Sequence, residues 1–236
     1  MANSSAEVRV CVDLNILYED DFLAVCEKPV GVCAQHADGV SDLPALLRQA
    51  TGAAEIFPVH RLDTATGGVM VYAKTKEAAA ALSAQMQTGE FRKTYLCVVH
   101  GAVEPAADTL EDLLFFDRRK NKSYVVKRER KGVKKAKLAY ETITARETEA
   151  GILSLLQVRL FTGRTHQIRV QLASRRHPLA GDKKYGAADG FSSPALFSAA
   201  LSFRHPAEGK TLSFSLLPPE TGPWRFFGLT DGLFRS

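Results

Sequence analysis

Apolar positions along the chain fall into short blocks divided by polar and Gly/Pro punctuation. Val8, Val10, Val12 and Leu14 alternate with other residues at the period of a half-buried strand, and Ile16-Leu17-Tyr18 continues the pattern. After a turn at Glu19-Asp20-Asp21, Phe22 to Cys26 forms a second apolar strand, closed by Lys28-Pro29 and Gly31. Ser41-Asp42-Leu43-Pro44 reads as a helix start, with Leu46 and Leu47 behind it and Gly52 as its stop. Val69 to Ala73 is rich in β-branched and aromatic residues and reads as a strand. Lys76 to Gln87 predicts a helix, because it is alanine-rich, lacks internal Gly and Pro, and sets Leu82 and Met86 four apart before Gly89. Further strands are predicted at Phe91–Gly101, Leu138–Thr144, Gly151–Leu160 and Thr211–Leu217. Gly163-Arg164 makes a turn, and Thr165 is placed to cap a helix whose Ile168 and Leu172 face the core. The tail, with Trp224, Phe226, Phe227 and Phe234, is expected to pack on the body as a short helix.

Composition changes this picture little. The 236 residues, 45% hydrophobic and 24% charged, suit one ordinary domain, or at most two small ones. No apolar run approaches the roughly 20 residues of a membrane span. The first residues also lack the basic-then-apolar order of a secretory signal. Cys11, Cys26, Cys33 and Cys97 have neither Cys-x-x-Cys spacing nor neighbouring paired histidines, so they read as small core residues of a reducing compartment. A cytoplasmic protein is the expectation. No glycine-rich phosphate loop or metal-ligand spacing occurs, and no metal or cofactor is expected.

Charge changes it more. Residues 1–60 carry nine acidic and three basic side chains, whereas residues 118–137 carry eleven basic ones against Glu129 alone. The whole chain sums to +5, so everything outside that segment sums to −5. A local basic cluster on an otherwise acidic chain points to a polyanion-facing surface, and the basic runs on either side of Tyr124-Val125-Val126 suggest a charged hairpin or arm. A solvated, partly disordered loop is the plainer reading, and the two are compatible.

Candidate chemistry concentrates at His60-Arg61-Leu62-Asp63-Thr64-Ala65-Thr66-Gly67-Gly68. This compact polar loop feeds straight into the strand Val69–Ala73, so a sheet would hold the Asp63 carboxylate at an exposed position. Taken alone, Asp63 reads equally as a turn residue, Tyr95 as an ordinary strand aromatic, and Arg164 as a surface arginine near a helix start.

Together these stretches resemble the RluA-type RNA pseudouridine synthases. The resemblance rests on four segments in order. They are His60-Arg61-Leu62-Asp63 with Thr66-Gly67-Gly68, Lys93-x-Tyr95 followed by Gly101, Gly163-Arg164-Thr165-His166-Gln167-Ile168-Arg169, and His177-Pro178 through Gly186. The chain departs from the pattern at Gly67, where the family usually has Ser, and at Ser198, where it has His. The resemblance implies an α+β fold: a bent, mixed, mostly antiparallel sheet with helices outside and a central RNA-binding cleft. It also implies a stand-alone catalytic domain spanning residues 1–236, with 118–137 as a basic arm and no preceding RNA-binding module. In the implied reaction a uridine of structured RNA, tRNA or rRNA, is isomerised to pseudouridine without cofactor or metal. Asp63 would start glycosidic cleavage, whether by attack on the sugar, attack on the ring or abstraction of a sugar proton. Arg164 would pair with Asp63 and orient it by a two-pronged hydrogen bond. Tyr95 would stack on the uracil, and Arg61 would fill the gap left by the flipped nucleotide. His60, Thr66, His166 and Gln167 would line the substrate site, and Lys127, Arg128, Lys134 and Lys135 would meet RNA phosphates. A monomer is the working expectation. Two other readings are a non-catalytic RNA-binding protein on the same fold and a hydrolase. A glycosidase-like hydrolase would want a second, suitably placed carboxylate, and none stands out near these segments.

Overall fold

The computed structural model describes residues 14–36 and 42–234; the alternating stretch from Val8 to Val12 lies outside them. In chain order the elements are β1 (Ile16–Glu19), β2 (Leu23–Lys28), α1 (Leu43–Thr51), β3 (Phe57–Pro58), β4 (Gly67–Ala73), α2 (Lys76–Thr88), β5 (Arg92–His100), β6 (Ala107–Asp117), β7 (Lys122–Val126), β8 (Val133–Thr148), β9 (Gly151–Leu160), α3 (Gln167–Ala173), β10 (Leu196–Arg204) and β11 (Thr211–Ser215). The strands join one sheet in the order β1-β2-β4-β10-β5-β9-β8-β6-β7, with β11 added to β10 and β3 to β4. Among the strand pairings of the described residues, only β4–β10 is parallel. The fold is α+β on a mixed, mostly antiparallel sheet, as expected.

Local chemistry explains the elements that frame the site. The Asp42 side chain accepts the Ala45 N–H to start α1, and Gly52 ends it at φ 67°. Thr75 caps α2 in the same way through the Ala78 N–H, and Gly89 closes it at φ 81°. Every residue of β4 is buried, since its run of apolar side chains is covered on both faces. On one face Met70 and Tyr72 join Tyr95, Cys97 and Val158 beneath α1 and α3. On the other, Val69 and Val71 pack against Leu82 of α2, while Leu96 and Val98 of β5 meet Trp224 of the tail. The tail does form a short helical turn, Gly222–Phe226. Among the described residues no helix is long and apolar enough to cross a membrane.

The parallel β4–β10 pairing needs glycine at position 68. Gly68 has φ 114°, and a Cβ there would lie 2.2 Å from the Ser198 carbonyl oxygen and 2.7 Å from its nitrogen. Backbone strain and a backbone clash then coincide, so Gly68→Ala should cost about 3 kcal/mol or more. Thermal melts check this; a melting temperature within about 3 °C of wild type would mean that the strands can separate at little cost. Ser198 itself is fully buried beside Tyr95, and its hydroxyl donates to the Val69 carbonyl at 2.9 Å. The departure from histidine at this position therefore places a hydrogen bond between β10 and β4, the strand that the Asp63 loop feeds.

Candidate active site

The loop from residue 59 to 66 links β3 to β4 and carries Asp63 at the start of this interior strand. Hydrogen bonds fix it. The Thr66 N–H donates to the Asp63 carbonyl at 2.9 Å. The Val71 N–H donates to His60 Nε2 at 3.2 Å. The fully buried Lys28 donates from Nζ to the Thr64 carbonyl at 3.2 Å and to the Pro29 carbonyl at 2.8 Å. Burial pushes the Lys28 pKa down to about 8, against the opposing pull of Asp63. Lys28 therefore positions the loop from beneath. In the sequence it reads as part of a Pro/Gly turn; its placement at the end of the strand that begins with the apolar run Leu23–Cys26 was the available signal.

His60 must be neutral. Burial first, and then the Lys93 charge, push its pKa from the ordinary 6.5 down to about 3. Since Nε2 accepts from Val71, Nδ1 carries the proton, and that atom is buried without a partner. A group whose folded pKa lies below its unfolded value contributes stability above the unfolded pKa and loses it as pH falls. The melting temperature should therefore drop as pH falls below about 6.5, well before ordinary carboxylates titrate. His60→Gln, whose side-chain oxygen can still accept from Val71, should flatten that drop between about pH 6.5 and 4.5. An unchanged pH profile would mean that His60 titrates freely.

The partner of Asp63 is not the one expected. Arg169 on α3 donates from Nη1 to Asp63 Oδ2 at 3.1 Å. The same guanidinium grips the fully buried Asp182 side chain through Nε at 2.7 Å and Nη2 at 2.8 Å, with the Tyr185 ring 5.2 Å away. Arg164 instead donates from Nε to the Lys135 carbonyl at 2.9 Å. The expectation that Arg164 holds Asp63 is corrected on this geometry: Arg164 precedes α3 and leans toward β8, while Arg169 lies within the helix, one turn beyond His166 and over the carboxylate. His166 Nε2 stands 3.7 Å from Asp63 Oδ2, and its Nδ1 is 3.0 Å from the Tyr185 hydroxyl. Burial lowers the His166 pKa, with Asp63 opposing. His166 rather than Thr165 occupies the α3 cap position, at φ 54° and without a side-chain cap bond. The left-handed turn aims the ring at the site instead.

Gln167 is held by hydrogen bonds on both sides. Its Oε1 accepts from the Arg164 N–H and the Thr162 hydroxyl, at 3.0 and 2.8 Å, and its Nε2 donates to the Lys137 carbonyl at 3.1 Å. It is buried, braces the 162–164 turn and lines the cavity over Asp63. Tyr95 on β5 is 4% exposed at the cavity floor. Burial and then the Asp63 charge raise its pKa, so it remains a protonated phenol at neutral pH. A cavity of about 650 Å³ lies over Asp63, lined by Arg61, Thr66, Tyr95, Arg164 and Phe161 among others. A second, of about 450 Å³, flanks Asp63 on the Arg169 side. Asp63 thus stands between two open spaces, and the exposed Arg61 borders both.

The basic arm is built of strand. Leu113–Asp117 pairs with Lys122–Val126, and β8 closes on Phe115 at Val133. The Ser123 hydroxyl donates to the Thr165 carbonyl, and the Tyr185 hydroxyl meets the Ser123 N–H, tying the arm to α3. Lys127, Arg128, Lys134 and Lys135 are all exposed; none lines the cavity over Asp63, although Arg164 is bonded to Lys135 at its rim.

Known proteins resemble this chain in sequence and in fold. Residues 22–174 match the family model described as RNA pseudouridylate synthase. The chain is 33% identical over 229 residues to an uncharacterized RNA pseudouridine synthase of Aquifex aeolicus, covering 89% of this chain and 71% of that protein. It is 34% identical over 230 residues to ribosomal large subunit pseudouridine synthase D of Xanthomonas campestris, covering 89% and 67%. Among solved structures, human RNA pseudouridylate synthase domain containing 1 shares the fold with a TM-score of 0.72 at 22% identity, over 89% of this chain and 85% of that one. The chain therefore belongs to the RluA-type RNA pseudouridine synthases, isomerases that modify uridine in RNA.

Proposed function

We propose that Asp63 is the residue that starts the isomerisation, acting on a uridine flipped out of structured RNA into the cavity above it. The observation that carries this reading is the Arg169 bridge. One guanidinium, locked by a fully buried carboxylate, holds the Asp63 carboxylate at an open cavity. Such preorganisation is what a reacting group requires. In the reaction the bond from N1 of uracil to the sugar breaks and one from C5 to the same sugar carbon forms. The C5 proton is lost and N1 ends protonated, so atoms balance without an outside reactant. Tyr95, as a neutral phenol, offers a stacking face and a hydrogen-bond donor. Arg61 is exposed at the junction of the two cavities, where a planar cation can occupy the space of the flipped nucleotide.

On this reading the arm takes RNA phosphates through Lys127, Arg128, Lys134 and Lys135, and the enzyme works in the cytoplasm as a monomer. The relatives named for the ribosomal large subunit make ribosomal RNA the first substrate to test, with transfer RNA second. The test is carbodiimide and primer-extension mapping of total RNA from cells with and without the gene. Stops should vanish at one or a few uridines and return with the wild-type protein but not with Asp63→Asn. Stops restored equally by both proteins would remove Asp63 from the chemistry.

A further inference from the structure

Lys93 shares a face of β5 with Tyr95, two residues away, and a same-face step along a strand is about 7 Å. Its side chain lines the cavity over Asp63, with Nζ beside Gly163, where a Cβ would lie 3.7 Å from it. The side chain is partly buried, and desolvation lowers its pKa with no carboxylate opposing the shift. Among the described residues it makes no hydrogen bond or ion pair, while His60 beside it is neutral and offers no counter-charge. The two carboxylates of this site, Asp63 and Asp182, are both engaged by Arg169, and neither pairs with Lys93. A partly desolvated ammonium with no anion costs stability, so its position asks for a ligand. The adjacent Gly163 leaves the ammonium uncovered.

We propose that Lys93 binds the phosphodiester next to the target uridine, one strand step from the Tyr95 ring that underlies the base. This rests on the reading that the cavity takes a flipped uridine. A backbone phosphate adjoining a nucleotide stacked on Tyr95 lies about one such step away, and a lysine suits it as a compact point charge. Lys93 thereby fixes the strand that enters the cavity, separately from the basic arm.

The test compares Lys93→Met and Lys93→Arg with wild type. Binding of a fluorescein-labelled oligouridylate of about 15 nucleotides is followed by anisotropy from about 0.05 to 0.3 M KCl. Lys93→Met should reduce the slope of log affinity against log salt by about 0.7, the loss of one single-strand phosphate contact, and Lys93→Arg should restore it. In single-turnover pseudouridine formation on RNA from cells lacking the gene, half-saturation should rise about tenfold with Lys93→Met, far more than the saturating rate falls. The melting temperature of Lys93→Met without RNA should hold or rise, because a desolvated charge is removed. A wild-type salt slope in Lys93→Met overturns the proposal, as does a lowered melting temperature that Lys93→Arg does not rescue. Wild-type protein that makes no pseudouridine would overturn the parent reading instead, and the salt slope would still decide whether Lys93 holds a phosphate.

Discussion

Asp63→Asn should lower the rate of pseudouridine formation by a factor on the order of 10³ or more while leaving the fold and the grip on RNA in place. The substitution keeps the side chain's shape and removes its charge. Its effect on folding is bounded by the neighbours. Arg169 keeps both bonds to Asp182 at 2.7 and 2.8 Å, so no buried cation is left alone. The Asp63 side chain retains 18% exposure, and its bond to Arg169 is single at 3.1 Å, so its loss should cost about 1 kcal/mol. The effect on RNA has a definite sign. Asp63 places a negative charge in a cavity that also holds Arg61, Lys93 and Arg164. Removing it weakens repulsion of a polyanion, so affinity should hold or rise a few-fold. The checks are single-turnover rates and anisotropy titrations at one fixed salt concentration. Residual activity above about a tenth of wild type would remove Asp63 from the chemistry, and an affinity loss of more than about tenfold would make it structural.

What the sequence made legible follows from the range over which each feature is determined. The two longer helices were readable because their signals are local: Asp42 and Gly52 bound the first, and an alanine-rich run ending at Gly89 marks the second, whose Thr75 cap went unread. The strand Gly151–Leu160 was read to its boundaries because its ends are a glycine and a turn. Asp63 was readable through its resemblance and through the loop that feeds a fully buried strand. The partner of Asp63 was not, because that choice depends on where α3 lies over the loop, 106 residues away along the chain. Two arginines five positions apart both belong to the matching segment, and only the packing of Ile168 and Leu172 into the core decides which one faces Asp63. Thr165 was the better cap by type, yet His166 takes the position because its ring is held by the Tyr185 hydroxyl and the Asp63 carboxylate. Asp182 looked like part of a loop in sequence. Its complete burial against Arg169 is a tertiary fact with no local signal.

The bridge itself yields the second large effect. Arg169→Met should abolish activity and also destabilise the protein by about 3–5 kcal/mol, because the fully buried Asp182 loses its counter-charge. That result alone would not separate catalysis from folding, and a double variant does. Arg169→Met with Asp182→Asn removes both buried charges, and replacing a buried ion pair rather than breaking it is often close to neutral. The double variant should recover most of the melting temperature yet stay inactive, since nothing then orients Asp63. Arg169→Lys should fold, because one ammonium can satisfy Asp182, but it cannot reproduce a fork that serves two carboxylates; its rate should fall about 10- to 100-fold. Arg164→Gln is the control. Its side-chain bond goes to a backbone carbonyl at the cavity rim, so it should melt within about 2 °C of wild type and lose RNA affinity more than rate. If Arg164→Gln loses more rate than Arg169→Lys, or the double variant recovers activity with stability, then the Arg169 bridge supports the fold alone, and Asp63 must be oriented from elsewhere, His166 being the nearest alternative at 3.7 Å.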